Sequence, residues 1–288
     1  MFRGEALQIK KIRVTKDQFL SDEVHESAKK HVSGSAQYVD DIPLPEESLH
    51  AYLGFAETAH GVISALDLAA VRQVQGVIDV FTANAIPGKN DISPTGKNDE
   101  PILAENQVLF WGQPIFVVVA KTRNIARKAA RLAKVTYDDL EFISDIRAAE
   151  SNGSKLVAAP LELKNGDVEK ALKMAPRRIR GEIEIGGQDH FYLEGQVAFA
   201  IPGEDEEITV FSSTQHPSEV QHMVSQALGI SNHSVKVEVR RMGGGFGGKE
   251  TQSNQFAAIV AVAAKRLKCS VKLRLDRDDD MICTGKRH

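Results

Sequence analysis

The residues of greatest chemical interest run from Arg240 to Glu250 and read RRMGGGFGGKE, with five glycines among eleven residues. Glycine has no Cβ, so it permits positive φ angles and a close approach of the backbone to another group, at a cost in chain entropy. Valines at 235, 237 and 239 alternate with charged residues before this run, which predicts a strand. Apolar residues at helical spacing follow it from about 251 to 267. The glycines therefore form a strand-to-helix turn whose backbone N–H groups can face an anion.

The spacing of Gly243, Gly245 and Gly248 also fits the dinucleotide-binding pattern GxGxxG. This alternative fits poorly, because a Rossmann first strand is buried on both faces and continuously apolar. Phe246 is bulky for such a loop, and the acid at the next strand end, Asp276, comes later than the pattern places it. A tight turn with a purely structural role is the other alternative.

Several elements must position this turn. Residues 178–185 alternate as a strand and lead into GGQDHFYLE, residues 186–194. Residues 197–201 and 208–212 read as a strand pair. A helix from Pro217 to Leu228 follows, with proline in its first turn and glycine after its last.

The first half of the chain alternates strand and helix patterns. Residues 115–120 (IFVVVA) are a short apolar run typical of a buried strand, followed by a helix over 122–133 and a strand over 135–137. A helix over 66–74 and a strand over 76–81 are predicted before them. The fold class is therefore α+β, a mixed α/β architecture.

The composition of the chain is that of a globular protein and argues against several functional classes. The chain has 288 residues, 42% of them hydrophobic and 26% charged, with a net charge of −3. These values are ordinary for a globular protein and do not indicate general nucleic-acid affinity. We expect no membrane span, because no apolar run reaches about 18 residues, and a cytoplasmic location, because the start lacks the apolar core of a secretory signal. Cys269 and Cys283 are too few for a four-thiolate cluster, so we expect any iron–sulfur centre on another chain.

RRMGGGFGGKE resembles the molybdenum-cofactor loop of the xanthine dehydrogenase and aldehyde oxidase family. Residues 186–194 and residues 275–288 (LDRDDDMICTGKRH) resemble two further segments of that family. The polar, weakly patterned residues 1–24 are interpreted as an arm, and a change of composition to acids, Ser, Asn and Gly places a linker over 143–157. The resemblance implies an α/β-hammerhead domain over 25–142 and the first part of a molybdopterin-binding domain over 158–288.

The resemblance also implies roles for individual residues. Gln188 would lie beside molybdenum, and Phe246 would lie near the metal without ligating it. Gly245 and Gly247 would contact the cofactor with Phe246. Glu250 would face the substrate, as in purine-oxidising members, and so favours purines over aldehydes. Each residue also has an alternative, purely structural role. Gln188 could hydrogen-bond the backbone of a turn, the Phe246 ring could fill the core, and Glu250 could cap a helix.

The implied function is the molybdenum-cofactor subunit of a xanthine dehydrogenase that converts hypoxanthine or xanthine to urate. Its cofactor would be molybdenum–molybdopterin, and electrons would pass to NAD through 2Fe–2S clusters and FAD on a partner subunit, in a hetero-oligomer. The family's general-base glutamate follows the segment that matches His288, so no catalytic residue is assigned in this chain. We expect a truncated subunit that is inactive alone. The alternatives are an oxidoreductase for aldehydes or other N-heterocycles, and a non-catalytic assembly fragment.

Overall fold

The computed structural model describes residues 25–286. Contacts within the chain divide it into residues 1–37 and residues 38–288. The described part of the first unit carries a short helix, α1 (Ala28–Ser33), which ends at Gly34 in the left-handed conformation, with φ at 72°. The arm predicted over residues 1–24 lies outside the described residues.

A mixed seven-stranded sheet forms the centre of the second unit. Its spatial order is β3 (Val77–Thr82), β5 (Pro114–Ala120), β1 (Leu49–Phe55), β10 (Val271–Arg274), β7 (Val197–Pro202), β8 (Ile208–Ser212), β9 (Val235–Glu238). A smaller antiparallel sheet has the order β4 (Gln107–Val108), β2 (Gly61–Asp67), β6 (Lys134–Asp139). Because β10 pairs with β1 on one side and β7 on the other, the large sheet unites strands from both sides of the predicted linker.

The described residues of the second unit also contain helices. In chain order they are α2 (Ala69–Arg72), α3 (Arg123–Ala130), α4 (Ile146–Ser151), α5 (Val168–Met174), α6 (Pro217–Leu228), α7 (Ser253–Leu267), α8 (Arg277–Cys283). Residues 253–264 of α7 are all buried, and they share one apolar core with α6 and the sheet. A second core packs α3 against β1 and β5. Each large apolar side chain buried in this way stabilises the fold by about 1.5–3 kcal/mol.

The predicted fold class and most predicted elements are confirmed. The strand before the glycine run is β9, and the helix after it is α7. The helix α6 begins at Pro217 and ends at Leu228, and the next residue, Gly229, has a φ of 67°. Among residues 25–286, no helix has the length and apolar character needed to cross a bilayer.

Two predicted elements are wrong. Residues 178–185 form no strand, because no neighbouring strand of the described chain pairs with them. The helix predicted over 66–74 is shortened to α2, because Leu66 and Asp67 pair with Val135 and Lys134 of β6 and so extend β2.

Candidate functional site

The glycine run forms a tight turn between β9 and α7. The N–H of Gly248 donates to the carbonyl of Gly245 at 2.7 Å and closes the turn. Phe246 at its tip has a φ of 54° and is 69% exposed, and Gly247 has a φ of 89°. A bulky residue at positive φ is strained, so the surrounding structure must hold the turn in this conformation.

The segment at 186–194 packs directly against this turn. A Cβ at Gly248 would lie 2.7 Å from ring atoms of both His190 and Tyr192. A Cβ at Gly243 would lie 2.5 Å from the Cβ of Glu194. A side chain at either glycine would collide with residues of the 186–194 segment, so glycine is required at both positions. The glycine run and the 186–194 segment therefore pack together as one unit.

A buried ion pair fastens the two motifs to each other. Lys249 is fully buried, and its Nζ donates to the Glu194 carbonyl at 2.6 Å, to Ser213 Oγ at 2.7 Å and to Glu194 Oε2 at 3.3 Å. Glu194 Oε2 also accepts from the N–H of Gly243 at 2.8 Å. Burial lowers the pKa of Lys249, while the charge of Glu194 opposes that shift. Removing either partner alone would leave an uncompensated buried charge.

The acidic run near the C-terminal end joins the same cluster. The Tyr192 hydroxyl donates to Asp280 Oδ1 at 2.5 Å, and the Gln196 N–H donates to Asp280 Oδ2 at 2.8 Å. Gln196 Nε2 donates to the Gly248 carbonyl at 2.9 Å, and Arg277 Nη2 donates to the Tyr192 carbonyl at 2.7 Å. Burial and the hydrogen bond to Asp280 raise the pKa of the Tyr192 phenol. Three segments that are separate in sequence thus converge on the glycine turn.

Gln215 is a site residue that sequence reasoning missed. Its Oε1 accepts from the N–H of Gly247 at 2.9 Å and from the N–H of Lys249 at 3.3 Å. A Cβ at Gly245 would lie 2.5 Å from that same oxygen. The sequence places Gln215 in a polar run, residues 212–216, at the end of β8 and before α6, but that run does not indicate the contact with the glycine turn.

The residues predicted from the sequence lie in and around this cluster. Gly245 is buried, whereas Phe246, Gly247 and Glu250 are exposed. Gln188 is exposed as well, and the neighbouring Asp189 pairs with Lys286 at 3.3 Å. The amide that contacts the glycine turn is therefore that of Gln215, and the role of Gln188 stays a prediction.

The turn has donors to offer a ligand. In the part of the chain that the structure describes, the backbone N–H groups of Gly245 and Phe246 donate to no protein acceptor. Successive N–H groups at such a turn form a concave site for anionic oxygens. This donor set fits the oxygen-rich edge of a phosphorylated, metal-bearing cofactor.

Two family models match the chain in tandem. Residues 33–141 match the a/b hammerhead domain of aldehyde oxidase and xanthine dehydrogenase. Residues 149–288 match the molybdopterin cofactor-binding domain. The chain belongs to the xanthine dehydrogenase and aldehyde oxidase family. The hammerhead interpretation of the fold is confirmed by the first match, and the expected cofactor-binding segment by the second.

Relatives from both branches of the family are similar to this chain. The xanthine dehydrogenase of Dictyostelium discoideum is 41% identical over 264 residues, which are 92% of this chain and 19% of the relative. Aldehyde oxidase 2 of Rattus norvegicus is 38% identical over 282 residues, or 96% of this chain and 21% of the relative. The chain thus spans about a fifth of the length of these relatives.

The fold is also similar to that of solved members of the family. The aldehyde oxidoreductase from Desulfovibrio gigas superposes with a TM-score of 0.80 at 28% identity, covering 91% of this chain and 31% of that one. Because the matched stretch includes the glycine turn and the segments around it, the cluster built here lies within the molybdopterin cofactor-binding domain of the family.

Proposed function

We propose that this chain forms the molybdenum-cofactor part of a xanthine dehydrogenase that hydroxylates hypoxanthine or xanthine to urate. The observation that supports this most strongly is the convergence of three motif segments on one glycine turn with free backbone donors. When bound, the molybdenum cofactor supplies the hydroxylation chemistry and receives two electrons. Residues of this chain bind and orient the cofactor and the substrate.

In this proposal, Gly245, Phe246 and Gly247 hold the cofactor through the main chain. The Phe246 ring, which is 69% exposed, shields the metal from water without ligating it. Gln188 and Gln215 are the two amides that could face the metal centre. The contact of Gln215 with Gly247 favours Gln215, and the position of Gln188 within the family-like segment 186–194 favours Gln188.

Glu250 supports the purine assignment. It is exposed at the end of the turn, four positions after Phe246, and its carboxylate can accept hydrogen bonds from the N–H groups of a heterocycle. An aldehyde has no such donors. The second candidate is an aldehyde oxidoreductase of the same family, because xanthine dehydrogenase/oxidase and aldehyde oxidase 2, both of Rattus norvegicus, are 40% and 38% identical to this chain.

The proposed protein acts in the cytoplasm with a partner subunit that carries 2Fe–2S clusters and FAD, and it passes electrons to NAD. This chain spans about a fifth of its relatives, so we propose that the remaining cofactor contacts and the catalytic base come from further polypeptide. The functional unit would then be a hetero-oligomer.

The assembled protein allows a direct test of the site. Gln215→Ala and Gln188→Ala are compared for molybdenum per chain and for xanthine-dependent NAD reduction. The control is Gln73→Ala, because Gln73 is exposed and more than 100 positions away from both glutamines in the sequence. We expect at least one of the two site variants to lose molybdenum or turnover by about tenfold or more, the scale seen for outer-shell partners. If both match the control, neither amide lies beside the metal.

Substrate class is tested at Glu250. Xanthine and an aromatic aldehyde are compared in the parent and in Glu250→Ala and Glu250→Gln. We expect Glu250→Ala to lose xanthine turnover selectively, and Glu250→Gln to keep part of it, because the amide oxygen still accepts one hydrogen bond. Equal loss on both substrates would remove the purine assignment.

A further inference from the structure

A cavity of about 290 Å³ lies between β1 and β5 of the large sheet, β6 of the small sheet, the end of α3, and α8. Its lining includes five aromatic side chains: Tyr52, Phe55, Trp111, Phe116 and Tyr137. We call it the aromatic cavity. Its volume is close to the lower end of the range of small-molecule sites, which is about 300–1,000 Å³, so it can hold a ligand with a single ring.

Two glycines allow the walls of the aromatic cavity to pack closely. A Cβ at Gly54 would lie 2.0 Å from ring atoms of Phe116, which is 1% exposed. A Cβ at Gly112 would lie 2.1 Å from Cγ2 of Ile282, and Gly112 has a φ of 88°, which glycine adopts without strain. The walls are therefore held by packing within this chain, as in a preformed ligand site.

A half-buried carboxylate, that of Asp279 in α8, is part of the lining. Its Oδ2 accepts from the Tyr52 hydroxyl at 2.6 Å, whereas its Oδ1 accepts from no side chain in the part of the chain that the structure describes. Burial and the bond to Asp279 raise the pKa of the Tyr52 phenol, so Tyr52 stays a neutral donor. One carboxylate oxygen is thus left to accept a hydrogen bond from a ligand.

The other charges of the lining largely compensate each other. Glu57 and Arg131 have opposite signs and are both exposed, so water and ions screen them. Two arginines of α3 outside the lining, Arg123 and Arg127, both contact Asp276, at 2.5 Å and 3.3 Å. Within the lining two carboxylates accompany one guanidinium, so the aromatic cavity carries a negative charge.

Aromatic rings around a carboxylate are the chemistry that recognises an organic cation. The face of an aromatic ring is negative and attracts a cation within about 6 Å of its centroid. A ring-bearing ammonium ion can pack its apolar part against these rings and donate an N–H to Asp279 Oδ1. We propose that the aromatic cavity binds a small primary ammonium ion that carries a single apolar ring. None of the lining residues belongs to the cluster around the glycine turn, so this proposal does not depend on the proposed function.

The single tryptophan of the chain, Trp111, lies in the wall of the aromatic cavity and reports on its occupancy. Benzylammonium, benzyl alcohol and benzoate share one ring and differ in charge, and each is titrated into the full chain. Physiological salt screens weak attraction of the probes to the protein surface. We expect benzylammonium to change the tryptophan fluorescence saturably, with a dissociation constant at least about tenfold below that of either other probe.

Two neighbouring aspartates of α8 provide a matched pair of variants. Asp279→Asn removes the charge but keeps an acceptor for the Tyr52 hydroxyl, and it should weaken benzylammonium binding by at least about tenfold. Asp278→Asn makes the same change at an exposed residue outside the lining and should leave binding unchanged. Circular dichroism shows whether both variants are folded.

A second variant fills the aromatic cavity without changing any charge. Ala133 is half-buried in the lining, so Ala133→Phe should abolish the binding of benzylammonium, measured by ligand-observed NMR. Ala149→Phe is the control, at a half-buried alanine of α4 outside the lining. This pair decides the matter if Asp279→Asn does not fold.

Four outcomes would overturn the proposal. The first is the absence of saturable binding at millimolar benzylammonium, and the second is equal affinity for the three probes, which would show that charge is not recognised. Equal losses in Asp279→Asn and Asp278→Asn would show attraction to the acidic surface of α8 alone. Binding that persists in Ala133→Phe would show that the probe lies outside the aromatic cavity.

Discussion

Two helices of the cofactor-binding segment each carry a pair of apolar residues at the same spacing, in opposite surroundings. α6 places Val220 and Val224 four residues apart, and both are fully buried against the sheet and α7. α5 places Val168 and Leu172 at the same spacing, and both are 59% exposed. The spacing of the apolar pair is the same, so the spacing alone does not decide burial, which depends on whether other elements pack against that helix face.

The largest expected effect concerns the buried ion pair. We expect Lys249→Met to lower the free energy of unfolding by about 3–5 kcal/mol, because the Glu194 carboxylate loses its buried cation. The same substitution at the exposed Lys170 of α5, Lys170→Met, should change it by less than about 0.5 kcal/mol. Urea denaturation measures both.

A double variant separates the effect of the unpaired Glu194 charge from the effect of the lost Lys249 side-chain packing. Lys249→Met/Glu194→Gln should recover part of the loss, because no uncompensated charge then stays buried. If Lys249→Met were as mild as Lys170→Met, the ion pair would not hold the two motifs together.

A matched truncation tests the two helices directly. Val224→Ala should cost about 2 kcal/mol, from lost burial and the cavity left behind. Val168→Ala in α5 should cost nothing measurable, since the valine is exposed and alanine is the better helix former. Equal costs in thermal or urea unfolding would show that α5 is packed in solution.

Alkaline pH should reveal the network around the glycine turn. Tyr192 has a raised pKa from burial and from its bond to Asp280, so its folded pKa lies above the unfolded value of about 10. The stabilisation is complete below pH 10 and is lost as the pH rises towards the folded pKa, at about 1.4 kcal/mol per pH unit. Tyr192→Phe should reduce this slope, measured by unfolding at several pH values, and the remainder should come from other buried groups with a raised pKa, such as the Tyr52 phenol. A slope in Tyr192→Phe equal to that of the parent would show that Tyr192 contributes nothing to it.

The smallest expected effect concerns a surface ion pair. Arg147 and Glu182 lie 2.6 Å apart, but their side chains are 76% and 80% exposed. Glu182→Gln should leave stability within about 0.5 kcal/mol of the parent at physiological salt, because water and ions screen the pair. A loss comparable to that of Lys249→Met would show that this ion pair orders the chain between Arg147 and Glu182.

The turn at the centre of the site could be predicted from the sequence. Five glycines between an alternating strand and an amphipathic helix define a strand-to-helix turn by local pattern alone, and β9 and α7 confirm it. Residues 186–194 and 275–288 resemble two further segments of the family. Their contact through Tyr192 and Asp280 was not predicted and is seen only in the structure.

The contact of Gln215 could not be read from local pattern. It forms with residues 32 and 34 positions away, and such contacts depend on how β8 and α7 pack in the finished fold. The strand predicted over 178–185 failed for the complementary reason. The residues do alternate between apolar and charged, but a strand forms only when another strand hydrogen-bonds to it. Sequence periodicity does not show whether such a strand lies beside these residues.

The middle strand of the large sheet is synthesised after the other six strands of that sheet. β10 lies between β1 and β7, which pair with it and not with each other. A ribosome must therefore pass residue 274 before the half-sheet of β3, β5 and β1 can be joined to that of β7, β8 and β9. Until then each half has an open edge, so a nascent chain stalled before that point would be prone to aggregate or to need a chaperone.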